Sequence, residues 1–180
     1  MMMLLAMLAA GTMASSSFSL SSPVIPDGGT ITMTNVYDGM GCDGSNVSPA
    51  LRWTNAPSAT KSFALTVWDP DAPVRGGWWH WVYFNIPASA TSLASGVGST
   101  HPQLAPPGAI EGKTSFGKPG YGGPCPPVGS GAHHYIFTLY ALDEARIASA
   151  SATTTGPALK LLIAKHTLGH STLTGRFGRP

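Results

Sequence analysis

At 180 residues the chain is long enough for one domain with a continuous core and short for two. Charged residues make up only 10%, and 22 Gly with 16 Pro interrupt the chain often, which excludes long ion-paired surface helices and points to short strands joined by many turns. The formal net charge is +2, with the basic residues scattered rather than gathered into a stripe that could neutralise successive phosphates, so nucleic acid is excluded as a partner class.

Residues 1–14 are an apolar run of Met, Leu and Ala closing on small residues, the pattern of a secretory signal, although no Lys or Arg precedes it. The run breaks at Gly11-Thr12, short of the roughly 20 apolar residues that a spanning helix needs. A secreted or periplasmic protein is the expectation. Residues 15–29, opening on a Ser-rich stretch, read as a flexible lead-in, and residues 30–180 as a single domain. The two cysteines, Cys42 and Cys125, lie far apart, with no CxxC and no metal-ligand spacing. In an oxidising compartment they could pair, and two buried free thiols are the alternative.

Alternation over residues 30–37 predicts an early strand, followed by a turn-rich segment at 38–49. Residues 62–68 carry β-branched and aromatic side chains and predict a second strand that ends at paired Asp-Pro units. Residues 79–86 form an unbroken aromatic and aliphatic run, which suits a central strand covered on both faces. The Gly- and Pro-rich stretch 87–131 is longer than a connecting loop usually is and is expected to build a site. Residues 134–142 predict another strand, and the period of two places His133, Tyr135, Phe137 and Leu139 on one face. Pro157 opens a predicted helix over 158–168, with Gly169 ending it. Residues 172–177 close the chain as a short strand. Several strands with one late helix, without regular strand–helix alternation, predict a mainly β sandwich.

Three motifs stand out in this order: Asp69-Pro70-Asp71-Ala72-Pro73, then Trp79-His80-Trp81, then Gly122-Gly123-Pro124-Cys125-Pro126-Pro127 with His133-His134-Tyr135. Taken singly, a strand His is most often structural, and Asp-Pro pairs can be plain turn chemistry. Together they resemble the phosphatidylethanolamine-binding protein family in its bacterial, Raf-kinase-inhibitor-like form, from about Ile31 to Arg179. The resemblance implies an antiparallel-rich two-sheet sandwich with a few peripheral helices. It also implies an anion-binding pocket formed by Asp69, Asp71, His80, Pro126, Pro127, His133 and Tyr135. Two imidazoles and a phenol would donate to a phosphoryl group while a carboxylate fixes an imidazole tautomer. The loop Gly129-Ser130-Gly131 could add backbone N–H donors, and Trp78 and Trp79 apolar walls.

The chain departs from many relatives in carrying His134 where they have Arg, on the strand face opposite the pocket. It also lacks the C-terminal helix of some eukaryotic relatives, so their kinase partners do not transfer. The expectation is a binding protein for phosphate or a phosphoryl-containing small ligand, with no catalytic residues, no cofactor and no metal. No activated nucleophile with its base and oxyanion donors is visible in the sequence. Two alternatives stand beside it. One is a protein-interaction module such as a serine protease inhibitor, and a homodimer is left open. The other, less favoured, is a metal-dependent enzyme using two His and one carboxylate as a facial triad.

Overall fold

The computed structural model describes residues 17–98 and 100–180. The expected signal at 1–14 lies outside the described residues. Three antiparallel groupings carry the architecture. A large sheet has the strand order β10–β9–β5–β6–β8, a small sheet the order β1–β4–β7, and β2–β3 form a hairpin. In chain order these strands are β1 (Ser19–Ser21), β2 (Asp38–Gly39), β3 (Cys42–Asp43), β4 (Leu51–Thr54), β5 (Ser62–Asp69), β6 (Trp78–Pro87), β7 (Ser92–Leu93), β8 (Ile110–Glu111), β9 (Gly131–Leu142) and β10 (Thr167–Arg179). A single α-helix, α1 (Gly156–Ile163), and one 3-10 turn at Pro102–Leu104 accompany them among the described residues.

The strands expected over 62–68 and 79–86, only the second of them as a central strand, form for the reason their sequences suggest. On β5 and β6 alternate side chains enter different layers. Phe63, Leu65, Val67, Trp81 and Tyr83 face the small sheet, where Leu20, Leu51, Trp53 and Leu93 meet them. Ala64, Val82 and Phe84 face the other way and are covered by Leu159 and Ile163 of α1 with Ile147. A strand covered on both sides has no wet face, which is why its sequence shows no polar alternation. Each large side chain so buried contributes roughly 1.5–3 kcal/mol. β9 adds Tyr135, Phe137 and Leu139 to the inter-sheet layer, on the common face that the period of two predicts.

Four expectations need correction. The lead-in at 15–29 is not a flexible arm from residue 17 onward: Leu20 pairs with Trp53, and Ile25 is completely buried. Short polar β1 gains its order from its neighbours, which local composition does not report. Residues 30–37 form no strand. Thr30 makes one bridge to Arg176, and the backbone then turns, with the Asn35 N–H donating to Thr32 O and the Val36 N–H to Met33 O. The Asn35 side chain donates to Val47 O at 2.7 Å, an inward tie that a strand would not allow alongside buried Val36.

The helix stops at Ile163 rather than 168, and Gly169 lies within β10 at a register shift. β10 itself is much longer than 172–177 and pairs along β9 from Thr167↔Leu142 to Arg179↔Gly131. A continuous ladder satisfies more backbone groups than one further helical turn would, so pairing overrides local helix preference.

Antiparallel pairing positions the site. Trp68 is opposite Ile136 on one side and Trp79 on the other, so the C-terminal end of β5 meets the N-terminal ends of β6 and β9. Asp69, His80, His133 and Tyr135 are thereby brought to one rim of the large sheet.

Candidate functional site

At that rim lies a cavity of about 200 Å³. Six of the seven expected pocket residues line it: Asp69, His80, Pro126, Pro127, His133 and Tyr135. The seventh, Asp71, does not. Its Oδ2 accepts the backbone N–H of His134 at 2.7 Å and pairs with His134 Nδ1 at 2.7 Å, both groups being substantially exposed. Partial burial works against the Asp71 charge, but the two His134 hydrogen bonds outweigh it and hold the carboxyl below its usual range. The reason for its absence from the cavity is alternation: His134 points to the opposite face of β9 from His133 and Tyr135, as the sequence implies, and Asp71 follows it.

Asp69 is buried and fully employed. Its Oδ1 accepts the backbone N–H groups of Asp71 at 2.8 Å and Ala72 at 3.1 Å, the local turn that Asp-Pro chemistry favours. Its Oδ2 lies 2.8 Å from His133 Nδ1, so the imidazole donates to it. The other ring nitrogen, His133 Nε2, is 3.0 Å from Ser130 Oγ, and that hydroxyl also reaches Pro127 O at 2.8 Å. Asp69, His133 and Ser130 thus form a hydrogen-bonded chain, in which the carboxylate orients the imidazole.

Two of the loop's three expected backbone donors are committed elsewhere. The Gly129 N–H goes to Arg179 O and the Ser130 N–H to Pro127 O. Its contribution is the Ser130 hydroxyl. The Asp–His–Ser order is that of a nucleophile relay, but these two committed N–H groups leave the loop without them as oxyanion donors.

His80 is held differently. Its Nδ1–H donates to Gly122 O at 2.7 Å and lies 3.2 Å from Gly123 O. Those carbonyls can only accept, so the ring's proton is on Nδ1 and Nε2 carries a lone pair. Burial pushes the pKa of His80 down to about 4, and the carbonyl bonds and nearby Asp69 only partly oppose it. His80 is therefore neutral near pH 7 and presents an acceptor, where the sequence reading had a donor. Gly123 packs its backbone against residues 35–37 because it has no side chain. A Cβ there would lie 2.1 Å from Asn35 O and 2.6 Å from the Tyr37 backbone nitrogen.

Tyr135 is 1% exposed, lines the cavity, and its hydroxyl has no hydrogen-bond partner. Burial, with the neighbouring Asp69 charge, raises its pKa well above the ordinary phenol value, so it is a neutral O–H donor. The remaining walls are apolar: Met40, Val74, Trp78 and Phe116. Trp79 is not among them. It points to the other side of β6, where it stacks on Trp68 with ring centroids 5.9 Å apart.

Sequence reasoning missed Met40, Val74 and Phe116, and it gave Ser130 a backbone role where the structure gives it a hydroxyl one. Phe116 lies within the long irregular region flagged as site-building, and its ring meets His80 edge-on at 5.5 Å. Met40 arrives through the disulfide. Cys42 and Cys125 are bonded, with Cα atoms 6.0 Å apart, and tie the β2–β3 hairpin to the cavity wall. Arg179 reinforces that tie, donating from Nε to Pro126 O and from Nη1 to Gly41 O, each at 2.7 Å. In the facial-triad alternative His80 and His133 would bind through Nε2, but the Asp69 oxygens that such a triad needs already accept three protein N–H groups. No cluster of three or more His, Cys, Asp or Glu among the described residues could hold a metal ion.

The pattern of the family described as phosphatidylethanolamine-binding protein matches residues 21–178, nearly the whole described chain. The chain belongs to the phosphatidylethanolamine-binding protein family. Within that family it is 42% identical to YbhB of Escherichia coli over 158 residues, covering 88% of this chain and 98% of YbhB. It is 38% identical over 164 residues to a Mycobacterium tuberculosis protein named as the putative lipoprotein LppC, covering 91% of this chain and 74% of that one. The crystal structure of E. coli YbcL, described as a new member of the mammalian family, superposes with a TM-score of 0.88 at 37% identity, covering 92% of this chain and all of that one. Membership of the phosphatidylethanolamine-binding protein family thus agrees with the two-sheet antiparallel architecture and with the motifs that converge on the cavity.

Proposed function

We propose that this protein binds phosphate or a phosphoryl head group in the cavity at the rim of the large sheet, and that it acts as a binding protein rather than an enzyme. The observation that carries the reading is the buried hydroxyl of Tyr135, which has no protein partner and belongs to a residue of the cavity wall. An unpaired buried donor costs about 1–3 kcal/mol, and an oxyanion in the cavity would recover that cost. His133, held by Asp69, and the lone pair of His80 border the same space, and the family takes its name from a phospholipid. Calorimetric titration of the folded protein with inorganic phosphate tests the reading, with His80→Ala and His133→Ala as the informative variants. Unchanged affinity in both variants would leave these histidines a structural role only.

Export accompanies this function in our reading. The apolar leader at 1–14, the Cys42–Cys125 disulfide and the relative named a lipoprotein support a secreted or periplasmic site of action. N-terminal sequencing of exported protein should find processing near Ala14, and an intact Met1 would overturn the assignment of the leader.

A further inference from the structure

The polar groups of the residues that line the cavity have a sense of direction. Tyr135 Oη–H is a donor without an acceptor. His80 has its only proton on Nδ1, spent on Gly122 and Gly123, so the nitrogen left for the cavity is an acceptor. Both Asp69 oxygens are occupied by protein N–H groups, and both nitrogens of His133 are within hydrogen-bond distance of Asp69 or Ser130. No Lys or Arg side chain lines the space. Arg179 stands behind it, its guanidinium committed to the carbonyls of Pro126 and Gly41. The charge closest to both His80 and Tyr135 in effect is the Asp69 carboxylate, with His133 also facing His80, and Tyr121, Asp71 and Arg179 acting on Tyr135.

A fully ionised phosphate monoester matches this lining poorly. It brings two negative charges beside Asp69, and it offers only acceptors to the His80 lone pair. A group with one P–OH matches it well, because one oxygen accepts from Tyr135 while the hydroxyl donates to His80 Nε2.

We propose that the cavity selects a phosphoryl group that keeps one proton, the monoanion of a phosphate monoester, with Tyr135 donating to an oxygen and His80 Nε2 accepting from the P–OH. This rests on the reading of the cavity as a phosphoryl site and specifies which ionisation state that site takes. Burial keeps His80 unprotonated down to a pKa of about 4, so the ring remains an acceptor throughout the range in which a phosphate monoester loses its second proton.

The test is calorimetric titration with methyl phosphate and with dimethyl phosphate at pH 5.5 and pH 8. A monoester has its second ionisation near pH 6, so its monoanion fraction, and with it the apparent affinity, should fall about 75-fold between the two conditions. The diester is a monoanion at both pH values and has no P–OH. It should bind more weakly than the monoester at pH 5.5 and equally at the two pH values. A monoester affinity that does not change with pH would overturn the proposal. So would a parallel loss in both ligands, which would locate the titrating proton on the protein. Absence of binding by either ligand at either pH would remove the phosphoryl reading itself, a result distinct from both. As a further check, Tyr135→Phe should lower the affinity for both ligands about tenfold, and unchanged affinity for both would overturn the donor role.

Discussion

His133 Nδ1 lies 2.8 Å from Asp69 Oδ2, and both residues are buried. A carboxylate that also holds two backbone N–H groups is a fixed acceptor, so it sets the imidazole's tautomer and orientation rather than meeting the ligand itself. Asp69→Asn presents an amide where the imidazole needs an acceptor, or else turns that amide's donors against Asp71 N and Ala72 N. Stability should fall by about 3 kcal/mol, as when one partner of a buried pair is removed. Phosphate affinity should fall with it, whereas a carboxylate that merely repelled the anion would tighten binding on neutralisation. Urea unfolding and calorimetry on the folded variant measure the two effects.

His80 makes the fold sensitive to acid. Its folded pKa, about 4, is below the ordinary value of 6.5, so between these limits the unfolded chain binds a proton that the folded chain does not. Stability is then full above pH 6.5 and is lost as pH falls toward 4, by about 3 kcal/mol in order of magnitude. Unfolding in urea at pH 7, 5.5 and 4.5 should show the decline. His80→Gln should flatten it, and an equal slope in that variant would assign the acid sensitivity to other groups.

Tyr135→Phe separates stability from binding. The hydroxyl has no partner in the protein, so its removal should leave stability unchanged or raise it by up to about 1 kcal/mol. Phosphate affinity should fall tenfold or more. Loss of stability in this variant would show that the hydroxyl is satisfied within the fold.

The Cys42–Cys125 bond spans a sequence separation of 83 residues. Restricting a loop of that length in the unfolded chain contributes about 4.5 kcal/mol in the chain-entropy treatment. Unfolding with and without reductant should differ by an amount of this order. Thiol labelling of denatured, unreduced exported protein should find no free cysteine, and labelling of both would overturn the pairing. Because Cys125 is part of the cavity wall, reduction should also weaken phosphate binding.

Gly123→Ala tests the strap behind His80. The added Cβ would collide with backbone atoms of Asn35 and Tyr37, which cannot rotate away as a side-chain end could. We expect a loss of about 2–3 kcal/mol, of the size seen for overpacking, together with weaker phosphate binding because the carbonyls that orient His80 must shift. Circular dichroism and calorimetry on the same sample decide it.

Local pattern was sufficient for β5, β6 and β9, whose apolar runs are long enough that burial on one or both faces leaves a period in the sequence. It also placed His133 and Tyr135 on one face and His134 on the other, since alternation in a strand is a local property. The convergence of Asp69, His80, Pro126, Pro127, His133 and Tyr135 was legible only because three motifs together resembled a family. What tertiary structure alone decided lies at longer range. Polar β1 is ordered by pairing with β4, and 30–37 turns because Asn35 is tied to Val47. The last helix yields to β10 because β9 offers a ladder, and Met40 reaches the cavity through a disulfide partner 83 positions away in sequence. The same holds for the chemistry of the site. Whether His80 donates or accepts depends on two carbonyls, Gly122 and Gly123, more than forty residues along the chain, and a hydrogen bond over that separation leaves no periodicity to read.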